Sequence, residues 1–258
     1  MGIDTVIHLA ARVHVMKEVA SNPLSEFRKT NTEGTLQLAK QAAAAGVKRF
    51  VFMSTIGVNG NTSGCRAYTE DDKPAPHNPY SVSKLEAEIG LREISEKTGM
   101  EVVIIRAPLV YGPGNPGNFL SLLCIIAKGI PLPLASINNR KSFLYAENLA
   151  DALACCATNP AAAGQTYLVS DREDVSTPEL IRRVASALGR PARLIPFPTD
   201  LMRLAGRMLG KSSAVERLVG SLQVDNSKIQ KELGWKPPFT MQEGLQSTAE
   251  WFLKKYRI

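Results

Sequence analysis

The sequence is short of the features that mark metal-binding, secreted, membrane-spanning and nucleic-acid-binding chains. Only four cysteines occur in 258 residues: Cys65, Cys124, Cys155 and Cys156. None stands in a CxxC pair or has a histidine at ligand spacing, so neither a disulfide framework nor a metal site is expected, and the four read as reduced, mostly buried thiols. No apolar run reaches the roughly 18 residues that cross a bilayer, and the start MGIDTVIHLAARVH lacks the basic stretch and cleavage pattern of a secretory leader. A cytoplasmic protein with no membrane insertion is expected. Lys and Arg exceed Asp and Glu by seven, but they are scattered, and aromatic residues do not interleave with them. Nucleic acid is therefore not expected as a partner; a small phosphorylated ligand suits this charge better. Internal repeats and low-complexity tracts are missing too.

What remains is a chain with 44% hydrophobic residues, enough for one large domain or two intimate lobes. DTVIHLAA, KRFVFMST and EVVIIRAP are continuous apolar runs of strand length, as buried parallel strands require. Between the first two lies a helical stretch from about Pro23 to Ala45, closed by Gly46 where a left-handed cap belongs. A polar loop runs to Pro79, and the helix after it precedes the third strand. Strand, helix, strand, helix, strand at this spacing predicts a doubly wound parallel α/β sheet. Beyond Pro113 the elements become short and mixed. GPGNPGNF reads as a loop, Leu120 to Lys128 as a helix, QTYLVS as a strand, Thr177 to Leu188 as a helix capped by Ser176, and the tail as an amphipathic helix. This predicts a smaller mixed C-terminal lobe over residues 113–258, with segments interleaving with the sheet of residues 1–112.

The stretch YSVSK sets Tyr80 and Lys84 one helical turn apart, so their side chains share a face. Many helices match YxxxK by chance, and position is what gives this one weight. Ligands of an open parallel sheet bind at the carboxyl ends of its strands. There Ser54 and Thr55 close the second strand, Tyr80 opens the next helix, and Pro108 to Gly114 follow the third strand. A phenol is a poor base at neutral pH, but an adjacent Lys⁺ favours its phenolate. Thr55 could then hold a substrate oxygen while Tyr80 moves its proton. His8 reads as a satisfied core imidazole and His77 as a loop residue; neither these nor His14 is given a catalytic role. Met202, Leu204, Met208 and Leu209 read as core or lid packing.

The set HLAA, NTEGT, RFVFMSTIGVNG, YSVSK, IIRAPLVYGPG and LGWKP resembles the extended short-chain dehydrogenase/reductase family, in particular its nucleotide-sugar epimerases of the UDP-glucose 4-epimerase type, along essentially the whole chain. The resemblance implies a Rossmann-like sheet, NAD as cofactor with NADP not excluded, a UDP-sugar substrate and a homodimer built on a helix bundle that includes the Tyr80 helix. It makes Thr55 the catalytic hydroxyl, Tyr80 the general base and Lys84 the residue that grips the cofactor. Ala10, Ala11, Ser54 and Pro108 fall on cofactor-lining positions, and Asn31 on an asparagine that ties helix to sheet beside the site. Tyr111 and Gly112 match the loop beyond the sheet. Asn118, Phe119, Leu132 and Pro133 fall on substrate-lining positions, and Arg140 and Lys141 where a diphosphate-binding arginine belongs. Arg140 is preferred because arginine binds bidentately; Arg217 is a further phosphate candidate.

The family also opens with a strand and a glycine-rich GxxGxxG turn on a helix N-terminus. This sequence has neither, and at about 30 residues per βαβ unit the resemblance implies that about 60 residues precede the matched region. Asp4 to Ala10 would then form an exposed apolar edge. The expected activity is inversion at C4 of a UDP-hexose or UDP-N-acetylhexosamine through a transient 4-keto sugar. Reduction of a 4-keto nucleotide sugar by the same residues is the alternative, and a non-catalytic nucleotide-sugar-binding fragment the alternative of another class. A 4,6-dehydratase is disfavoured, because that branch carries Asp-Glu where this chain has Ile56 and Gly57.

Overall fold

The computed structural model describes residues 2–13 and 22–256. His14 lies outside them. Two strands define the centre of the molecule. Strand β2 (Arg49–Thr55) sends Phe50 and Phe52 to one face and Val51 to the other; β3 (Glu101–Ala107) divides Val102 and Ile104 from Val103 and Ile105 in the same way. Helices α2 (Thr35–Ala44) and α3 (Pro79–Thr98) cover the phenylalanine face with Ala39, Ala42, Ala87 and Leu91, while α5 (Ala146–Thr158) covers the other with Ala152 and Leu153. Burial on both faces is why these strands read as unbroken apolar runs. With β1 (Thr5–His8) and β6 (Thr166–Leu168) they form a parallel sheet in the order β1-β2-β3-β6. This is the Rossmann-like α/β fold that the sequence predicts, and β6 joins it from the later part of the chain.

Register decides where the site lies. Arg49 pairs with Glu101 at one end of the β2–β3 ladder and Thr55 with Ala107 at the other, so Thr55 and Pro108 leave the sheet side by side. β1 is the outermost strand, with Ile3 70%, Ile7 42% and Leu9 55% exposed, the apolar edge expected from the sequence. The strand is shorter than the apolar run that suggested it, ending at His8.

A second sheet joins β4 (Leu109–Tyr111), β5 (Lys141–Tyr145) and β7 (Asp174–Val175). Residues 109–111 read as loop in the sequence because Pro108 ends β3, and their pairing with β5 has no local signature. Helices α4 (Asn118–Ala127), α6 (Thr177–Ala187) and α10 (Met241–Tyr256) pack around Tyr111, Phe119, Phe143 and Tyr145, while α9 (Ser227–Leu233) sends Ile229 into the core on the Val51 face of the first sheet. Gly244 lets α10 approach those rings; a Cβ there would stand 2.8 Å from Tyr111 Oη and from Tyr145 Cγ. Buried Asp171 accepts hydrogen bonds from Tyr111 Oη, the Tyr145 amide and Asn148 Nδ2, fixing the same corner.

The helical stretch from Pro23 forms as expected, with α1 (Pro23–Phe27) passing through a π-helical segment, Arg28–Gly34, into α2. Two expectations need correction. Of the cysteines only Cys156 is fully buried, and Cys65 is exposed because it sits in the polar loop. Met202 packs partly against the core, but Leu204, Met208 and Leu209 on and just beyond α7 (Thr199–Met208) are 52%, 80% and 71% exposed, since that helix offers its core only one face. Among the described residues no helix is long and apolar enough to cross a membrane.

Candidate active site

Thr55 ends β2, and its Oγ1 accepts from the Gly57 amide at 3.2 Å as the chain turns. Helix α3 begins across from it for local reasons. Asn78 caps the helix by accepting from the Ser81 amide at 2.8 Å, and Pro79 supplies a preset first residue. The turn and the helix meet closely: a Cβ on Gly57 would lie 2.5 Å from Ser81 Oγ and 3.4 Å from Thr55 Oγ1. The threonine hydroxyl therefore sits beside the first turn of the helix that bears Tyr80.

Tyr80, Lys84 and Glu88 follow one another at helical spacing along α3. The Tyr80 ring stands edge-on to Phe27, with centroids 6.1 Å apart, and burial pushes its phenol up to about 12. Lys84 is only 2% exposed, its Nζ 3.8 Å from the centre of the Phe52 ring. Among the described residues nothing accepts a hydrogen bond from it. Desolvation lowers the ammonium to about 7, and the negative charge of Glu88 only partly counters this. The same ammonium and, more strongly, burial hold the His8 imidazole below its ordinary value; His8 Nε2 meets Thr35 Oγ1 at 3.0 Å, the satisfied imidazole expected. The expected lowering of the phenol by Lys84 is not what the chain alone produces. Burial dominates at Tyr80, and the ammonium is turned to the Phe52 face.

Beneath these groups lies a buried cluster. Glu88, with no exposed surface, receives Arg106 Nε and Nη2 at 3.0 and 2.7 Å and the Ser54 hydroxyl, while Arg106 Nη1 donates to Asn59 Oδ1 at 3.1 Å. Ser54 is thus engaged in holding α3 to the sheet, its hydroxyl donating to Glu88. Sequence reading missed this cluster: Glu88 is visible as one turn after Lys84, but nothing marks Arg106 as its partner. Asn31 ties the π-helical segment to its surroundings, donating to Ser83 Oγ at 3.0 Å and exchanging hydrogen bonds with the Arg12 backbone.

For a nicotinamide cofactor the structure offers Tyr80, Lys84, Pro108 and the backbone of Ala10 and Ala11, which leave β1 at the same edge. The fit rests on Lys84, a buried ammonium that lies on the Phe52 ring and donates no hydrogen bond among the described residues. Among the described residues there is no glycine-rich strand-to-helix turn beyond β1 for a diphosphate.

The substrate candidates divide. Arg140, Lys141 and Arg217 come together: Lys141 Nζ donates to the Arg217 carbonyl near the end of α8 (Ser212–Val219) at 2.5 Å, and burial lowers this ammonium to about 8. That leaves Arg140, exposed and, among the described residues, held by its backbone to Ser221 and Leu222, as the group open to an anion. Arg217 is also exposed, and it contributes to lowering His77 in the polar loop. Asn118 is exposed at the start of α4, whereas Phe119 is 5% exposed and stacks on Tyr111 at 5.5 Å, a core residue rather than a free contact. Leu132 is half-buried where it pairs with Leu194; Pro133 is exposed.

A hydroxyl, a phenol and an ammonium at one sheet edge are groups that can bind an oxygen and move a proton. Residues 1–170 match the profile of the NAD dependent epimerase/dehydratase family. The chain is 49% identical over 252 residues to the UDP-glucose 4-epimerase of Vibrio cholerae, covering 96% of this chain and 76% of that protein. It superposes with a TM-score of 0.78 at 25% identity on a double mutant of the Streptomyces venezuelae dTDP-glucose 4,6-dehydratase solved with NAD, covering 99% of this chain and 74% of that one. A UDP-glucose 4-epimerase from Thermotoga maritima, solved with UDP-glucose, gives 0.78 at 21% identity, with coverage of 98% and 78%. By the profile match and the Vibrio relative together, this chain belongs to the NAD dependent epimerase/dehydratase family.

Proposed function

We propose that the site inverts C4 of a UDP-hexose or UDP-N-acetylhexosamine. The observation that carries this is the buried, unengaged Lys84 ammonium one turn behind Tyr80 and across from Thr55, at the carboxyl edge of the parallel strands. The 49% identity to a protein named UDP-glucose 4-epimerase supports both the nucleotide and the carbon. NAD, when bound, supplies the acceptor and donor of hydride at C4. Thr55 Oγ1 holds the C4 oxygen, and the Tyr80 phenolate takes its proton and returns it. Phenolate forms once Lys84 turns from Phe52 toward the site and its charge, with that of the oxidised cofactor, offsets the burial that raises the phenol. Arg140 binds the substrate diphosphate, with Arg217 beside it. In this reading residues 1–112 are the cofactor part, residues 113–258 the substrate part, and a homodimer forms through the face of α3 that exposes Ile89.

The reductase alternative uses the same groups once and in one direction. Ile56 and Gly57 after Thr55 supply no carboxylate for elimination, which disfavours the 4,6-dehydratase chemistry of the Streptomyces neighbour. Supplying NAD with UDP-glucose or UDP-N-acetylglucosamine and following C4 inversion by NMR tests the proposal. Net consumption of NADH or NADPH with a 4-keto sugar would assign the reductase. Retained UDP-sugar binding with no nicotinamide binding at millimolar cofactor would leave a binding module. Tyr80→Phe should lower turnover by about 10² to 10⁴ with the melting temperature unchanged, and full turnover in that variant would end the mechanism.

A further inference from the structure

Residues 195–218 hold seven of the large hydrophobic side chains that the described chain exposes: Ile195, Phe197, Leu201, Leu204, Met208, Leu209 and Leu218. Four of them fall on or directly after α7 in one pattern. Leu201, Leu204 and Met208, with Ala205 between, are spaced as a single helical stripe, which Leu209 extends, and all are exposed. The opposite side of the helix is occupied. Gly206 is buried against Val215 of α8, Met202 packs on the core, and Arg203 donates to Glu216 at 3.1 Å. The stripe is therefore not a core face seen from the wrong side; a full set of inward contacts exists and the apolar surface is additional.

Charge says what it fits. Over residues 190–218 six basic residues, Arg190, Arg193, Arg203, Arg207, Lys211 and Arg217, stand against Asp200 and Glu216, an excess of four in a chain whose whole excess is seven. By helical spacing Arg207 lies in the sector next to the stripe, Arg203 is turned back to Glu216 of α8, and among the described residues the Arg207 and Lys211 side chains have no acidic partner. An exposed apolar stripe bordered by unpaired basic residues is the pattern of a helix that lies in a membrane interface. At ten residues α7 is too short to span a bilayer. A second copy of the chain is a poorer fit, because a two-fold contact through the stripe would bring together two copies of a segment that carries an excess of four positive charges.

We propose that α7 docks on an anionic phospholipid surface, with Leu201, Leu204, Met208 and Leu209 among the acyl chains and Arg207 and Lys211 on lipid phosphates. The test is co-sedimentation of the whole chain with vesicles of phosphatidylcholine alone or mixed with phosphatidylglycerol. The expected result is binding to the mixed vesicles that weakens as salt is added. Arg207→Gln should reduce that affinity about fivefold, and Leu204→Glu with Met208→Glu by about tenfold per residue. All three positions are exposed, and unchanged circular dichroism melts of the variants establish that they fold. Absence of binding to the mixed vesicles, or equal binding by wild type and the double variant, overturns the proposal. A dimer in sedimentation equilibrium that Leu204→Glu dissociates, without vesicle binding, overturns it as well and gives the face to a second copy. The measurement needs neither cofactor nor sugar, so its failure is separate from failure of the epimerase reading.

Discussion

Replacing Lys84 by methionine should stabilise the folded chain while removing its chemistry. The ammonium is lowered from 10.5 to about 7, so its folded pKa lies below its unfolded one. Below pH 7 both states are protonated and the folded state carries the whole cost of a desolvated charge, about 4 to 5 kcal/mol at 1.36 kcal/mol per unit. Between pH 7 and 10.5 the unfolded chain binds a proton that the folded chain does not, so stability rises with pH across that window and the cost is gone above it. The contact with Phe52 returns about 2 kcal/mol, and methionine keeps the aliphatic stem on that ring. A net gain of roughly 2 to 3 kcal/mol at neutral pH follows, or about 5 to 10 °C in melting temperature for a chain of this size. Urea unfolding of wild type and Lys84→Met, run at intervals from pH 6 to 10.5, checks it. The gap between the curves should close as pH rises; a destabilised variant, or a gap that ignores pH, would refute the account of Lys84 as a strained, functional charge.

Glu88→Gln leaves Arg106 buried beside a neutral amide and should cost about 3 to 5 kcal/mol in denaturant unfolding. Gly244→Ala drives a methyl group into Tyr111 and Tyr145 and should cost about 1 to 3 kcal/mol, read as a lowered melting temperature. Arg140→Ala should raise the KM for a UDP-sugar with stability unchanged. Lys141→Met should instead alter stability, since its ammonium holds the end of α8, and the two variants together decide which basic group meets the diphosphate.

The parts of the fold legible in sequence were those with a local cause. Apolar runs buried on both faces gave β2 and β3 to within a residue or two, and Pro79 marks where α3 starts. Thr55, Tyr80 and Lys84 could be placed at one edge because parallel crossovers leave few alternatives. Contacts distant along the chain were not legible. The partner of Glu88 lies on another strand, β4 is a strand only because β5 runs beside it, and Lys141 looked like half of a phosphate clamp until its bond to the Arg217 carbonyl was seen. The outward stripe of α7 was misjudged because helical spacing shows that a face is apolar and not which way it points.

Helix α3 carries the Tyr80 phenol at one end and, two turns on, a carboxylate locked to Arg106 in the interior. Any tilt or roll that moved Tyr80 appreciably would have to tear that lock, so the phenol is a fixed post. In the proposed inversion, presenting two opposite sides of a sugar carbon to a stationary post requires the sugar to swing, with its nucleotide end as the pivot. On that proposal the freedom the reaction demands resides in the bound molecule and the loops around it, while the sheet and α3 stand still.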